Sequence, residues 1–366
     1  MKIIHCADLH LDSKMTANLD RKKAKERKIE LLNTFSNMVN YASENDVKAI
    51  IIAGDLFDKR AVSKTASNAV YQAVSDNPDI DFYYLKGNHD EDSFLYNLGE
   101  IPENLKTFKD SWTAYRVGEN NKIVITGVFF TAENKDRIYN ELVLNNDDFN
   151  IVTLHGQESE ARSKDKTEAI ELKSLRNKGI DYLALGHVHS FRETELDKRG
   201  IYCYSGCLEG RGFDECGEHG FVLLDIDENT RTCKREFVPI AKRRLYTVDV
   251  DISGLTNSPE IAGRIKNVLN EYNYSSENLI KIVLCGEVDA FCEKDIDYLL
   301  KQFEDKYYYV KIYDETKLKV CYEDFRLDES LKGEFVRLVL AKEGFSEEEK
   351  AEIIKYGVEI LSGDEV

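Results

Sequence analysis

The sequence predicts an α/β fold: a layered domain over residues 1–240, a small α/β cap over 245–325 and a helical segment over 328–366. Short apolar runs rich in β-branched and aromatic residues alternate with helical patterns through the first 240 residues. Each run ends in polar or glycine-rich residues, the place where ligands of open α/β sheets collect. After Pro239 the alternation starts afresh, and a chain of 366 residues exceeds the usual single core.

The first strand is Lys2 to Cys6. Ile29, Leu32, Phe35, Val39 and Ala42 then recur at helical spacing and predict a crossover helix that covers the sheet. Ala49 to Ala53, Phe82 to Leu85, Ile151 to Leu154 and Tyr182 to Leu185 supply further strands. In the cap, strands over Tyr246 to Ile252, Leu279 to Cys285 and Tyr307 to Tyr313 alternate with helices near Pro259 to Tyr272 and Glu293 to Phe303. From Asp328 onward, Leu331, Phe335, Leu338 and Val339 share one helical face, and Ile353, Ile354, Gly357, Ile360 and Leu361 share another. Ser346 and Glu349 have the spacing of a capping box for the second helix.

Composition narrows the function classes. A hydrophobic share of 42% with 32% charged residues is ordinary for a globular protein, and no apolar stretch is long enough to span a bilayer. The opening MKIIHCADLH reads as a buried strand with no export signal, so a cytoplasmic protein with no membrane partner is expected. Eight cysteines without a C-x-x-C pair predict reduced thiols, with neither a disulfide framework nor a thiolate zinc site. A formal charge of −18 excludes a generally basic nucleic-acid binder. Any DNA track must be local. Arg21, Lys22, Lys23, Lys25, Arg27 and Lys28 form one candidate, which a solvated first helical turn explains equally well.

Five strand-end motifs carry the chemistry: Asp8-Leu9-His10, Gly54-Asp55, Gly87-Asn88-His89-Asp90, His155-Gly156 and Gly186-His187-Val188-His189. In the first, one intervening residue sends carboxylate and imidazole off the same face of an extended backbone, and His187 with His189 repeats the pattern. Asp8, His10, Asp55, Asn88, His155, His187 and His189 are too many donors for one ion and suit two divalent cations, with Asp55 as the natural bridge. Imidazole, carboxylate and amide oxygen without thiolate favour manganese first, with iron or zinc as alternatives. Two such ions about 3.5–4 Å apart activate a bridging water and stabilise both oxygens of an in-line displacement at phosphorus. His89, next to Asn88, is the expected general acid, with Asp90 either holding its imidazole or capping the following helix. His5 is expected in the core and His219 in a loop.

Together these motifs resemble the calcineurin-like metallophosphoesterase superfamily, whose pattern is complete in this chain. The resemblance implies a four-layer β-sandwich of two mixed sheets flanked by helices, in place of the simpler layered reading. It implies one ion held by Asp8, His10, Asp55 and His189 and a second by Asp55, Asn88, His155 and His187, with His89 as the catalytic histidine. Ala7 to Ser13, Gly54 to Asp58 and Tyr204 to Glu209 further resemble SbcD-type DNA repair exonucleases, especially a YhaO-like branch. That branch implies DNA exonuclease and endonuclease activity in double-strand-break repair, and C-terminal helices that dock on an SbcC-like coiled-coil ABC-type ATPase. It also implies a homodimer. Leu9 and Asp12-Ser13 depart from the usual SbcD residues, which bears on substrate rather than on chemistry. A small-nucleotide phosphodiesterase or phosphatase shares the same ligands and suits the acidic surface. A non-catalytic scaffold is disfavoured because every ligand position is intact.

Overall fold

The structure is a computed structural model that describes residues 1–15, 19–58, 62–90, 100–158, 169–289, 292–318 and 328–362. It divides into two compact units, Met1–Arg244 and Leu245–Val366. In the first, β1 (Lys2–Cys6), α1 (Arg21–Glu44), β2 (Val47–Ala53), α2 (Lys64–Ser75), β3 (Asp81–Leu85) and β4 (Leu105–Thr107) come first. There follow β5 (Thr113–Val117), β6 (Ile123–Gly127), β7 (Phe149–His155), the short pair β8 (Gln157–Glu158) and β9 (Ala169–Ile170), β10 (Tyr182–Gly186), β11 (Arg192–Glu195) and β12 (Ile201–Tyr204). β13 (Gly220–Asp227) and β14 (Thr232–Pro239) complete the unit.

Two mixed sheets result, ordered β14-β13-β1-β2-β3-β4 and β11-β12-β10-β7-β6-β5. Parallel pairing joins β1, β2, β3 and β4 in one, and β6, β7, β10 and β12 in the other. The period of two along β2 sorts its side chains: Ile50 and Ile52 pack with Phe35, Val39 and Val70 of the helices, while Ala49 and Ile51 pack with Ile125, Ile151 and Tyr182 of the opposite sheet. On the outer face of the second sheet, Val152, Leu154, Leu183 and Leu185 meet Ile138, Leu142, Leu172 and Leu175, in or beside the one-turn helices Ile138–Glu141 and Leu172–Leu175. This is a helix–sheet–sheet–helix stack, as the resemblance implied. The simpler layered reading fails because a strand buried on both faces reads as an unbroken apolar run, whatever covers it.

α1 begins where Asp20 accepts hydrogen bonds from the Lys22 and Lys23 amides at 2.8 and 2.9 Å. Its buried stripe runs through Leu31, Phe35, Met38 and Ala42. Ile29, expected on that stripe, is 50% exposed, since two residues before Leu31 it lies about 200° round the helix from it. Arg27 of the basic run turns inward, its guanidinium bonded to Glu30 at 2.7 Å and Glu209 at 3.2 Å, which removes it from any DNA track.

The second unit contains a three-stranded parallel sheet, Leu245–Asp251, Leu279–Cys285 and Tyr309–Asp314, connected through helices Ser258–Tyr272 and Ile296–Phe303. Val248, Val250, Ile280 and Ile282 pack against Ile261, Ile265, Leu299 and Phe303 of those helices. The terminal helices Leu331–Ala341 and Glu347–Ser362 pack through Val336, Ile354 and Val358. Leu331 and Leu338, expected on the packed face, are exposed at 67% and 65%, because Val336 sets the inward direction. The second helix opens with the reciprocal box, Ser346 N–H to Glu349 Oε2 at 2.7 Å and Glu349 N–H to Ser346 Oγ at 3.2 Å. Among the described residues no helix is long and apolar enough to cross a membrane, and seven cysteines are free; Cys321 lies outside the described residues.

Candidate dimetal centre

Parallel pairing brings strand ends to a common edge. β1, β2 and β3 of one sheet and β7 and β10 of the other run out at Cys6, Ala53, Leu85, His155 and Gly186, and the five motifs lie there or just beyond. A short backbone ladder fastens the first loop to the second: Asp8 N–H to Gly54 O at 3.1 Å, His10 N–H to Asp55 O at 3.0 Å and Leu11 N–H to Leu56 O at 3.0 Å. Asp8, His10, Asp55 and His187 all adopt positive φ, at 53°, 44°, 52° and 96°. Each such residue costs on the order of 1–3 kcal/mol, which the surrounding packing must offset. Gly54 (φ 93°) permits a close approach, since a Cβ there would run into the His155 ring.

The side chains converge into two groups of mutually close ligand atoms, Asp8 with His10 and His189, and Asp8 with Asp55 and His155. Asp55 Oδ2 lies 3.4 Å from His155 Nε2 and 3.7 Å from His10 Nε2, while its Oδ1 accepts the His89 N–H at 3.0 Å. Asn88 Oδ1 stands 3.0 Å from His155 Nε2. Both oxygens of Asp8 accept the His187 N–H, at 2.9 and 3.0 Å. His187 packs edge-on against His155 with ring centroids 5.5 Å apart, outside both groups. Asp8, assigned to one ion by resemblance, belongs to both groups.

Burial works against a charged His155, but the neighbouring Asp55 and Asp8 carboxylates outweigh it and hold the imidazole up at about 9. Burial likewise disfavours the Asp55 carboxylate, and His155 and His10 hold it well below the usual range. His187 goes the other way, its pKa lowered by burial and by its neighbour His155.

His89 stands at the mouth, 48% exposed, with Nδ1 3.7 Å from Asp58 Oδ1 and its ring 5.3 Å from that of His10. Asp90 does not hold it. The Asp90 carboxylate turns into the protein and accepts the Phe57, Gly87 and Leu56 amides at 2.9, 3.0 and 3.2 Å, pinning the second motif to the third. The alternative, a cap on the following helix, falls on residues 91–99, outside the described set. His5 is buried beside Tyr182, and His219 is a loop residue that is also buried.

Sequence reasoning missed Asp58 as a neighbour of His89, and missed Arg211 and Glu215 altogether. Glu215 Oε1 lies 2.6 Å from His189 Nδ1, and the Arg211 guanidinium reaches Glu215 at 2.9 Å and Asp58 at 3.6 Å. Their one signal was position, in the glycine-rich segment that leaves β12 at the same edge.

These residues fit divalent cations. His155 Nδ1 lies 2.9 Å from the Ala53 carbonyl, which can only accept, so that nitrogen carries a proton and Nε2, directed at Asp55 and Asn88, is the nitrogen a cation would take on displacing the second proton. His10 Nδ1 lies 3.2 Å from Asp58 Oδ1, a contact tolerable only if the nitrogen is protonated, although not aligned as a hydrogen bond. His10 Nε2 then faces His189 Nε2 at 3.4 Å, close enough for one proton or one shared cation to stand between them beside the buried carboxylates. That separation is about what two nitrogens sharing one tetrahedral ion show.

Comparison with known proteins agrees. The chain is 25% identical, over an alignment of 391 residues covering 100% of it and 96% of the relative, to the DNA double-strand break repair protein Mre11 of Saccharolobus solfataricus. It is 24% identical over 304 residues to the protein of the same name from Sulfurisphaera tokodaii, covering 78% of this chain and 74% of that one. It is 28% identical over 237 residues to the uncharacterized metallophosphoesterase YhaO of Bacillus subtilis, covering 62% of this chain and 57% of the relative. The profile of the calcineurin-like phosphoesterases matches residues 1–191, the stretch that supplies all seven predicted ligands, and the chain belongs to that family.

Proposed function

We propose that the protein is a dimetal phosphodiesterase acting on DNA, an exonuclease and endonuclease of double-strand-break repair in the cytoplasm. The observation that carries the chemistry is the convergence of Asp8, His10, Asp55, Asn88, His155 and His189 at one strand edge, with His187 alongside. Two divalent cations, manganese by preference and iron or zinc by the same donor set, would supply Lewis-acid charge at phosphorus and an acidified water. The chain's own residues do the rest. Asp55, whose Oδ2 faces both His155 and His10, would be the bridging ligand. His89 turns Nδ1 toward Asp58, which leaves Nε2 to deliver a proton to the departing alkoxide oxygen as general acid.

DNA as substrate is supported by the two archaeal relatives, both named for double-strand break repair and one aligned over this whole chain. On this reading residues 1–240 form the nuclease domain and 245–325 a cap that steers DNA. Residues 328–366 are the docking segment for an SbcC-like coiled-coil ATPase, where Leu331, Leu338 and Ile360 lie exposed, and the nuclease acts as a homodimer. The acidic charge of −18 and the burial of Arg27 favour a second reading, a small-nucleotide phosphodiesterase or phosphatase. Purified protein with manganese decides between them. Degradation of end-labelled duplex supports the first, and turnover of cyclic or simple phosphodiesters without DNA cleavage selects the second.

A further inference from the structure

His189 differs from the other imidazoles of the centre in how it is held. A backbone carbonyl fixes His155, and Asp58 lies beside His10 without hydrogen-bond alignment. His189 Nδ1 instead meets Glu215 Oε1 at 2.6 Å. An oxygen and a nitrogen this close require a proton between them, so Nδ1 is the donor and Nε2 is the nitrogen left for a metal. Arg211 Nη2 also lies 3.2 Å from Nδ1, but a nitrogen already carrying a proton cannot accept from it. The guanidinium therefore donates to Glu215 Oε1 at 2.9 Å.

Glu215 is itself tightly fixed. Its Oε2 accepts the Arg211 N–H at 2.6 Å and lies 3.8 Å from the Cys207 thiol, while its carbonyl oxygen accepts from His219 Nε2 at 2.9 Å. His219 Nδ1 in turn stands 3.2 Å from Cys207 Sγ. The carboxylate is buried, and burial alone would raise its pKa. The bond to His189 and the Arg211 charge reverse this and keep it ionised.

From this geometry we infer that Glu215, braced by Arg211, is the positioning residue of the site: it locks His189 in the tautomer and orientation that aim Nε2 at the ion shared with His10. The inference rests on the dimetal reading and adds a residue to it that lies outside all five motifs. An imidazole ligand whose far nitrogen donates to a carboxylate is both oriented and made more basic, and losing such a partner weakens metal binding about 10- to 100-fold.

Calorimetric titration of metal-free protein with manganese, alongside metal counting and thermal melting, tests it. Wild type is expected to take two ions. Glu215→Gln, which keeps the shape and loses the charge, is expected to weaken one ion about 10- to 100-fold and leave the other unchanged. Its metal-free melting temperature is expected to fall, because Arg211 loses a buried partner, so weakening confined to one ion is the deciding readout. Glu215→Asp, with the charge on a shorter arm, should recover part of the lost affinity. Nitrogen-15 shifts of the His189 ring are expected to show protonated Nδ1 in wild type and a mixture of tautomers in Glu215→Gln. Unchanged affinity for both ions in Glu215→Gln overturns the inference, as does parallel weakening of both. A wild-type protein that takes up no ion overturns the dimetal reading itself.

Discussion

At Asp55 a single carboxylate meets several demands. Its Oδ1 holds the third motif through the His89 amide, and its Oδ2 lies between His155 and His10. Asp55→Asn removes the charge that both neighbours require, so metal counting should find at most residual manganese in the variant; stoichiometric metal would contradict the bridging role. His89 presents the opposite case, exposed and outside both ligand groups. His89→Ala should therefore retain both ions and lower kcat about 100- to 10,000-fold, measured on any phosphodiester the protein turns over. The convergence of Asp8, His10 and His155 was legible because each is a metal-type donor at the end of a predicted strand. Asp90 was misread because adjacency in sequence was taken for adjacency in space: its carboxylate follows the turn inward to three amides, and Asp58 takes the place beside His89. Glu215 was not legible, since its role arises from a contact with His189, 26 positions away.

Among elements, α1 shows how packing redirects a pattern. Its basic opening reads as one surface run, yet Arg27 is buried against Glu30 and Glu209, and Glu30 in turn receives Arg243 at 2.7 Å. Removing one partner from a buried ionic cluster leaves charge uncompensated, so Arg27→Ala should cost about 3–5 kcal/mol in denaturant unfolding. The same cluster sets a pH response. Burial would raise the Glu30 pKa, but Arg243 and Arg27 bring it down to about 2 from an ordinary value of 4.5. Its contribution to stability is therefore complete above pH 4.5 and is lost as the pH falls toward 2, and Glu30→Gln should flatten melting curves over that window. The strands that carry the motifs, β1, β2, β3, β7 and β10, were legible from their apolar runs, whereas β5, β6 and β11 to β14 were not singled out. The arrangement in two facing sheets was not legible, because β2 buries both faces and periodicity does not say whether a helix or a second sheet lies opposite.

At the scale of the whole molecule, the cores of the two units draw on separate residues. The first is built from residues up to Ile240, and the sheet core of the second from Tyr246 to Ile312. A fragment of residues 1–244 is accordingly expected to melt cooperatively and to bind as many manganese ions as the full chain; a fragment that fails to fold would show that the division is only geometric. The four left-handed residues at the strand edge carry a further consequence. On the dimetal reading, cations that neutralise the converging carboxylates would help offset the cost of those conformations and so hold this edge together as well as serve its chemistry. Depleted of them by a chelator, the protein should soften first at the edge where it reacts, and amide exchange at Asp8, Asp55 and His187 would quicken before the sheets loosen.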